Sequence, residues 1–121
     1  MRRRIVGLWI VTVLLSAMFL FSGGFKLSGA PLAIENFHRW GYPDWFRVVI
    51  GVIETGAALL LLVPKTMRAS AGVLAVTMVG ATATHLHAGE ARSVALPLLL
   101  LGLLTLLLLA GRPRRQQARD A

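Results

Sequence analysis

Few residues in this sequence are of a type and in a position to carry chemistry, and the foremost is Glu54. It stands near the middle of an apolar run, residues 46–63, otherwise broken only by Arg47 near one end and by Thr55. About 20 apolar residues cross a hydrocarbon core of about 30 Å, so this run reads as a span with a carboxylate near its midpoint. An acid at that depth is costly, and such groups face a bundle interior or a wet cavity, where they move protons or anchor polar ligands. Glu54 is therefore expected to be a proton donor or acceptor, or a ligand anchor. The alternative is a hydrogen bond to Ser16, Ser22 or a backbone carbonyl that merely glues helices together.

Other polar groups can be placed around it. Lys26 closes the first apolar run and can snorkel towards Glu54. Arg47 lies about two turns from Glu54 on a similar helix face. At about 1.5 Å per residue, Glu54 sits roughly 12 Å below the outer interface and His85 near it, so the two are not an automatic hydrogen-bonded pair. A water or a ligand's polar group would span that gap, along a face shared by Thr77, Ala81, Thr84 and His85. Trp40, Tyr42 and Trp45 suit an interfacial aromatic belt, or a roof over a pocket. The expected catalytic set is Glu54 with His85 or Lys26, and the expected ligand-binding set is Trp40, Tyr42, Trp45, Arg47 and Thr84. His85-x-His87-x-x-Glu90 has metal-like composition. Residues two apart on a helix diverge by about 200°, so both histidines reach one ion only if the helix ends between them. No metal site and no cofactor is expected.

Composition says which elements must position these groups. Of 121 residues, 56% are hydrophobic, which is too apolar for a soluble domain of this length. Absence of cysteine excludes thiolate nucleophiles, disulfide exchange, Cys-ligated zinc and iron–sulfur clusters in this chain. The net charge of +8 does not read as a nucleic-acid surface, because the basic residues sit at the termini and beside apolar runs, where they set topology.

Four runs are expected as spans, at about residues 5–25, 45–63, 69–86 and 94–110, in an all-α, four-transmembrane-helix, up-and-down bundle occupying residues 1–111. The first run is too long for a cleaved signal peptide and is kept as a span. Pro31 at a first turn, Gly41 past a last one, and Ala33, Phe37 and Trp40 at helical spacing predict a short interfacial helix in the first outer loop. Small residues on the first run (Ser16, Ser22, Gly23, Gly24) and on the third (Ala69, Gly72, Val76, Gly80) are expected to be close-packing stripes. Ser93 is expected to cap the fourth run. The basic tail, residues 112–121, is expected to be disordered. With both termini cytoplasmic, Arg2, Arg3, Arg4, Lys65, Arg68, Arg112, Arg114, Arg115 and Arg119 fall inside, against Lys26, Arg39, Arg47 and Arg92 outside. That bias obeys the positive-inside rule.

Phe21-Ser22-Gly23-Gly24-Phe25-Lys26-Leu27, Gly41-Tyr42-Pro43-Asp44-Trp45, Ile50-Gly51-Val52-Ile53-Glu54-Thr55-Gly56 and the polar end of the third run, with Thr84 and His85, occur in that order. The ordered set resembles the DoxX-like family of small four-helix membrane proteins, over about residues 10–110. The resemblance implies a bundle in a bacterial inner membrane, with Lys26 and Glu54 as the recurrent polar positions. The family takes its name from a subunit associated with a membrane oxidoreductase acting on thiosulfate and quinone. It thus implies an accessory or assembly component of a membrane redox or stress system, with a redox protein, a second copy, or a small lipophilic molecule such as a quinone as partner. The alternative is an enzyme in which Glu54, helped by His85 or Lys26, performs acid–base chemistry (isomerisation, epoxide opening or cyclisation) on a lipophilic substrate. Ion transport is disfavoured, because the inner halves of the spans are nearly all Leu, Val, Ala and Gly.

Overall fold

The computed structural model describes residues 2–110, and these are all-helical with no strand. The tail at 112–121 lies outside the described residues. Four long helices, α1 (Arg2–Leu27), α3 (Asp44–Leu61), α4 (Met67–His87) and α5 (Ala95–Ala110), form a bundle, and the short α2 (Pro31–Arg39) packs over one end of it. Three stretches, Arg2–Leu27, Met67–His87 and Ala91–Ala110, are long and apolar enough to cross a membrane. The 18-residue α3 carries three charged residues, Asp44, Arg47 and Glu54, the last in mid-helix.

Local chemistry sets the boundaries. Pro31 opens α2, where its fixed φ suits the helix and its missing N–H is not needed. The chain leaves α2 through Gly41 at φ 83°, a conformation that L side chains rarely adopt. Asp44 in the first turn of α3 complements the helix dipole. Pro64 prevents α3 from continuing, and the Thr66 hydroxyl donates to the exposed Leu60 carbonyl at 2.7 Å. Ser93 does not cap the last helix. It lies within a 3-10 turn, Ala91–Val94, and α5 begins at Ala95 with Pro97 in its first turn, where no N–H is required.

α1 packs most extensively on α3, and α4 on α5, while α3 and α4 meet less closely. The α1–α3 seam is antiparallel: Ser16 Oγ donates to the Ala58 carbonyl at 2.8 Å, and further along α1 Gly23 lies against Gly51 and Thr55. A methyl group at Gly23 would run into the Thr55 hydroxyl and lie 2.9 Å from the Gly51 carbonyl oxygen, so the close approach requires glycine. The stripe on α4 behaves differently from expectation. Nothing lies within 4 Å of a Cβ built at Gly72 or Gly80, and both line a cavity instead of packing against a neighbour. Gly24 likewise has open space beside it.

The dry core fills the end of the bundle away from α2. Ala58, Leu61, Ala71, Leu74, Leu104 and Leu107 are almost wholly buried there, with Leu15 and Phe19 of α1 beside them. The outward faces carry Ile10, Val13, Leu14, Phe21, Leu99 and Leu109, a surface suited to lipid.

Candidate functional site

Immediately above that core lies a buried ion pair. Glu54 is 1% exposed, and Lys26 Nζ stands 3.0 Å from its Oε1 and 3.3 Å from Oε2. The Lys26 ammonium also donates to Ser22 Oγ, one turn back on α1, at 2.6 Å. The seam at Gly23 and Gly51 produces this meeting, because it brings Lys26, at the end of α1, within reach of Glu54 in the middle of α3. Ser16, one of the expected glue partners for Glu54, is taken by Ala58. Arg47 is buried too, but serves the backbone: its guanidinium donates to the Lys26 carbonyl and, at 3.2 Å, to Asp44. A cation on the last carbonyls of α1 satisfies an orphan acceptor and opposes the helix dipole.

Between α3 and α4, reached also by α1 and α5, is a cavity of about 970 Å³. Ser22, Lys26 and Glu54 form part of one wall, and Thr77, Ala81, Thr84 and His85 part of the wall facing them. Its roof is aromatic. Phe37 of α2 lies 5.2 Å from Trp40, 6.0 Å from Tyr42 and 6.4 Å from Phe46, centroid to centroid. Tyr42 Oη and Thr84 Oγ1 are 2.7 Å apart, joining the roof to α4. A second cavity of about 580 Å³, lined by Arg39 and His87, shares Trp40, Tyr42, Gly80 and Thr84 with the first. The Tyr42–Thr84 contact therefore stands where the two cavities meet.

A second cluster clamps the roof. Glu90 accepts from His85 Nδ1 at 2.8 Å and from Trp40 Nε1 at 3.1 Å, and its other oxygen is 2.6 Å from the Arg39 guanidinium. The His85 bond, then the Trp40 bond, and the charges of Arg39 and His85 hold the Glu90 carboxyl below its ordinary value of 4.5, against a smaller opposing effect of burial. A carboxylate with a depressed folded pKa stabilises the fold above its unfolded pKa, and that contribution disappears as pH falls through the folded value. Acidification from about pH 4.5 downwards is thus expected to loosen α2 from α4. Glu90→Gln should lose this component of the acid dependence and melt lower at neutral pH. Identical acid profiles for the two proteins, followed by Trp40 fluorescence in a Trp9→Phe/Trp45→Phe background, would remove Glu90 from the clamp.

Of the residues singled out by chemistry, Lys26, Glu54, His85, Trp40, Tyr42 and Thr84 all border the one cavity. Trp45 is 65% exposed and turned against Phe46, and neither it nor Arg47 is among the residues lining the cavity. His85 is bonded to Glu90, not to Glu54. α4 runs unbroken through His87, so the two histidines diverge, and among the described residues no three His, Cys, Asp or Glu side chains converge on a metal-sized site. In the sequence, Glu90 stands out only as the last member of the metal-like His85-x-His87-x-x-Glu90 set. Its partners Trp40 and Arg39 are about fifty residues away in the chain, with no spacing to reveal the pairing.

A model of the DoxX-like family matches residues 10–107. The chain belongs to the DoxX-like family. The match takes in Lys26, Glu54 and the whole roof of the cavity. The uncharacterized protein YdgD of Bacillus subtilis (strain 168) is 36% identical over 80 residues, covering 63% of this DoxX-like chain and 69% of the relative. No solved structure matches. Family and apolar helices together make this DoxX-like protein a small membrane protein.

Proposed function

We propose that this DoxX-like protein holds a lipophilic molecule in the cavity between α3 and α4, as an accessory or assembly component of a membrane redox or stress system. The observation that carries the reading is the Lys26–Glu54 pair, 3.0 Å apart, on the wall of a mostly apolar cavity of about 970 Å³. Ligand sites are mostly apolar concavities with a few placed polar groups, and this cavity has that composition. α3 is the fourth span in this reading, with both termini on the cytoplasmic side of a bacterial inner membrane. That orientation puts the aromatic roof and the smaller cavity outside, so the site opens outwards.

Native mass spectrometry after extraction in gentle detergent tests the proposal. A retained lipid-like mass that is lost in Lys26→Met/Glu54→Met supports it. A protein that carries no adduct and takes none from added membrane extract overturns it, and a stoichiometric protein partner identifies the system served. The enzymatic reading is favoured by one observation: a carboxylate and an ammonium face the same cavity, as general acid–base chemistry needs. It predicts that Glu54→Gln retains the adduct while conversion stops, so that the retained mass is substrate in the variant and product in the native protein.

A further inference from the structure

The cavity changes character along its length. Its α4 wall runs from Ala69 to His85, about 24 Å of helix. The half towards α2 carries the polar groups: Ser22, Lys26 and Glu54 on one side, Thr84 and His85 on the other. The half towards the α3–α4 turn is lined on α4 by Ala69, Gly72, Val73 and Val76. That wall is open: a Cβ at Gly72 meets nothing within 4 Å, and Val76 is 73% exposed.

Charge selects the head group. Lys26 and Glu54 already neutralise each other, with the glutamate side chain 2% exposed. An anion would have to draw Lys26 off Glu54, and a cation Glu54 off Lys26, and either leaves a buried charge without its partner. A hydroxyl or carbonyl oxygen needs no such separation. Ser22 Oγ accepts from Lys26, and among the described hydrogen bonds its own proton is unused, so it can donate to a ligand oxygen. The Glu54 carboxylate has lone pairs to spare for a ligand hydroxyl.

Resting on the ligand-binding role above, we infer that the occupant is a neutral single-chain amphiphile. Its hydroxyl or carbonyl lies against Ser22, Lys26 and Glu54, and its hydrocarbon tail lies along Ala69, Gly72 and Val76. The neutral ion pair excludes fatty anions and alkylammonium cations, and the open glycine wall admits the tail.

The test is native mass spectrometry of the full chain in gentle detergent. The probes are a long-chain alcohol, an alkyl sulfonate and an alkyltrimethylammonium of equal chain length, with a short-chain alcohol for comparison. The alcohol adduct is expected to be favoured about tenfold or more over either ion. Gly72→Leu adds apolar volume in the tail region, at a position where a Cβ meets nothing within 4 Å, and should weaken the long-chain alcohol about tenfold, the equivalent of about two buried methylenes, while leaving the short one unchanged. Gly72→Ala is the milder companion. Equal or stronger binding of either ion overturns the neutral-head inference and leaves the ligand-binding role standing. No adduct with any probe removes both. A dimer that Gly72→Leu abolishes would show that a second copy of the chain fills the cleft, and would also overturn the inference.

Discussion

Lys26→Met is expected to destabilise the protein by about 3–5 kcal/mol, because it strands the Glu54 carboxylate, 1% exposed, among apolar neighbours. Glu54→Gln should cost less. The amide keeps an acceptor for the ammonium, and the Lys26 side chain, 19% exposed, retains Ser22 and a route to water. The double variant Lys26→Met/Glu54→Met should recover most of the loss, since replacing a buried pair by apolar groups of similar volume is often neutral or better. A double-mutant cycle read from unfolding in detergent measures the coupling. Single variants that each stay within about 0.5 kcal/mol of the parent would mean that the pair does not hold α1 to α3.

Gly23→Val is the second large effect. Even its Cβ would collide with the Thr55 hydroxyl, and two backbone atoms, the Gly51 oxygen and the Thr55 nitrogen, lie 2.9 Å from that position and cannot rotate away. α1 and α3 must move apart, with an overpacking cost of at least about 1–3 kcal/mol. The same displacement pulls Lys26 from Glu54, so the two losses should add less than independently. Thr55→Ala alone should be nearly neutral, because the Thr55 hydroxyl is buried with no hydrogen-bond partner. Combined with Gly23→Ala it should rescue part of the loss but not all, since the backbone contacts remain. Gly72→Ala, placed in open space, is the control and should not destabilise the fold. Equal melting temperatures for Gly23→Val and the parent would show that the seam is loose.

These two effects share one arrangement. The glycine seam sets the distance at which a lysine at the end of α1 finds a glutamate in the middle of α3, and the aromatic roof closes the space above them. The clamp at Glu90 fixes the roof from the opposite side of the cavity, through His85 and Trp40. Leu61, Leu74, Leu104 and Leu107, closed off from solvent in the core at the far end, take no part in the cavity lining.

Run length and apolar content are local properties, so the all-helical membrane character is legible in one dimension, as are the breaks at Pro31, Gly41 and Pro64. The sequence also marks Glu54 as exceptional and Lys26 as within reach, because a carboxylate amid apolar residues is conspicuous in one dimension. Which faces turn inwards depends on how the helices pack. In a helix whose apolar residues favour no one face, such as α4, hydrophobic periodicity does not distinguish a packing stripe from a cavity wall, so only the neighbouring atoms separate Gly72 and Gly80 from Gly23. Likewise, the roles of Arg47 as the cap of α1 and of Glu90 as the clamp on Trp40 and Arg39 depend on contacts between elements distant in the chain. A charged side chain takes whichever partner the packing of the helices brings within reach, and spacing along the chain does not encode that distance.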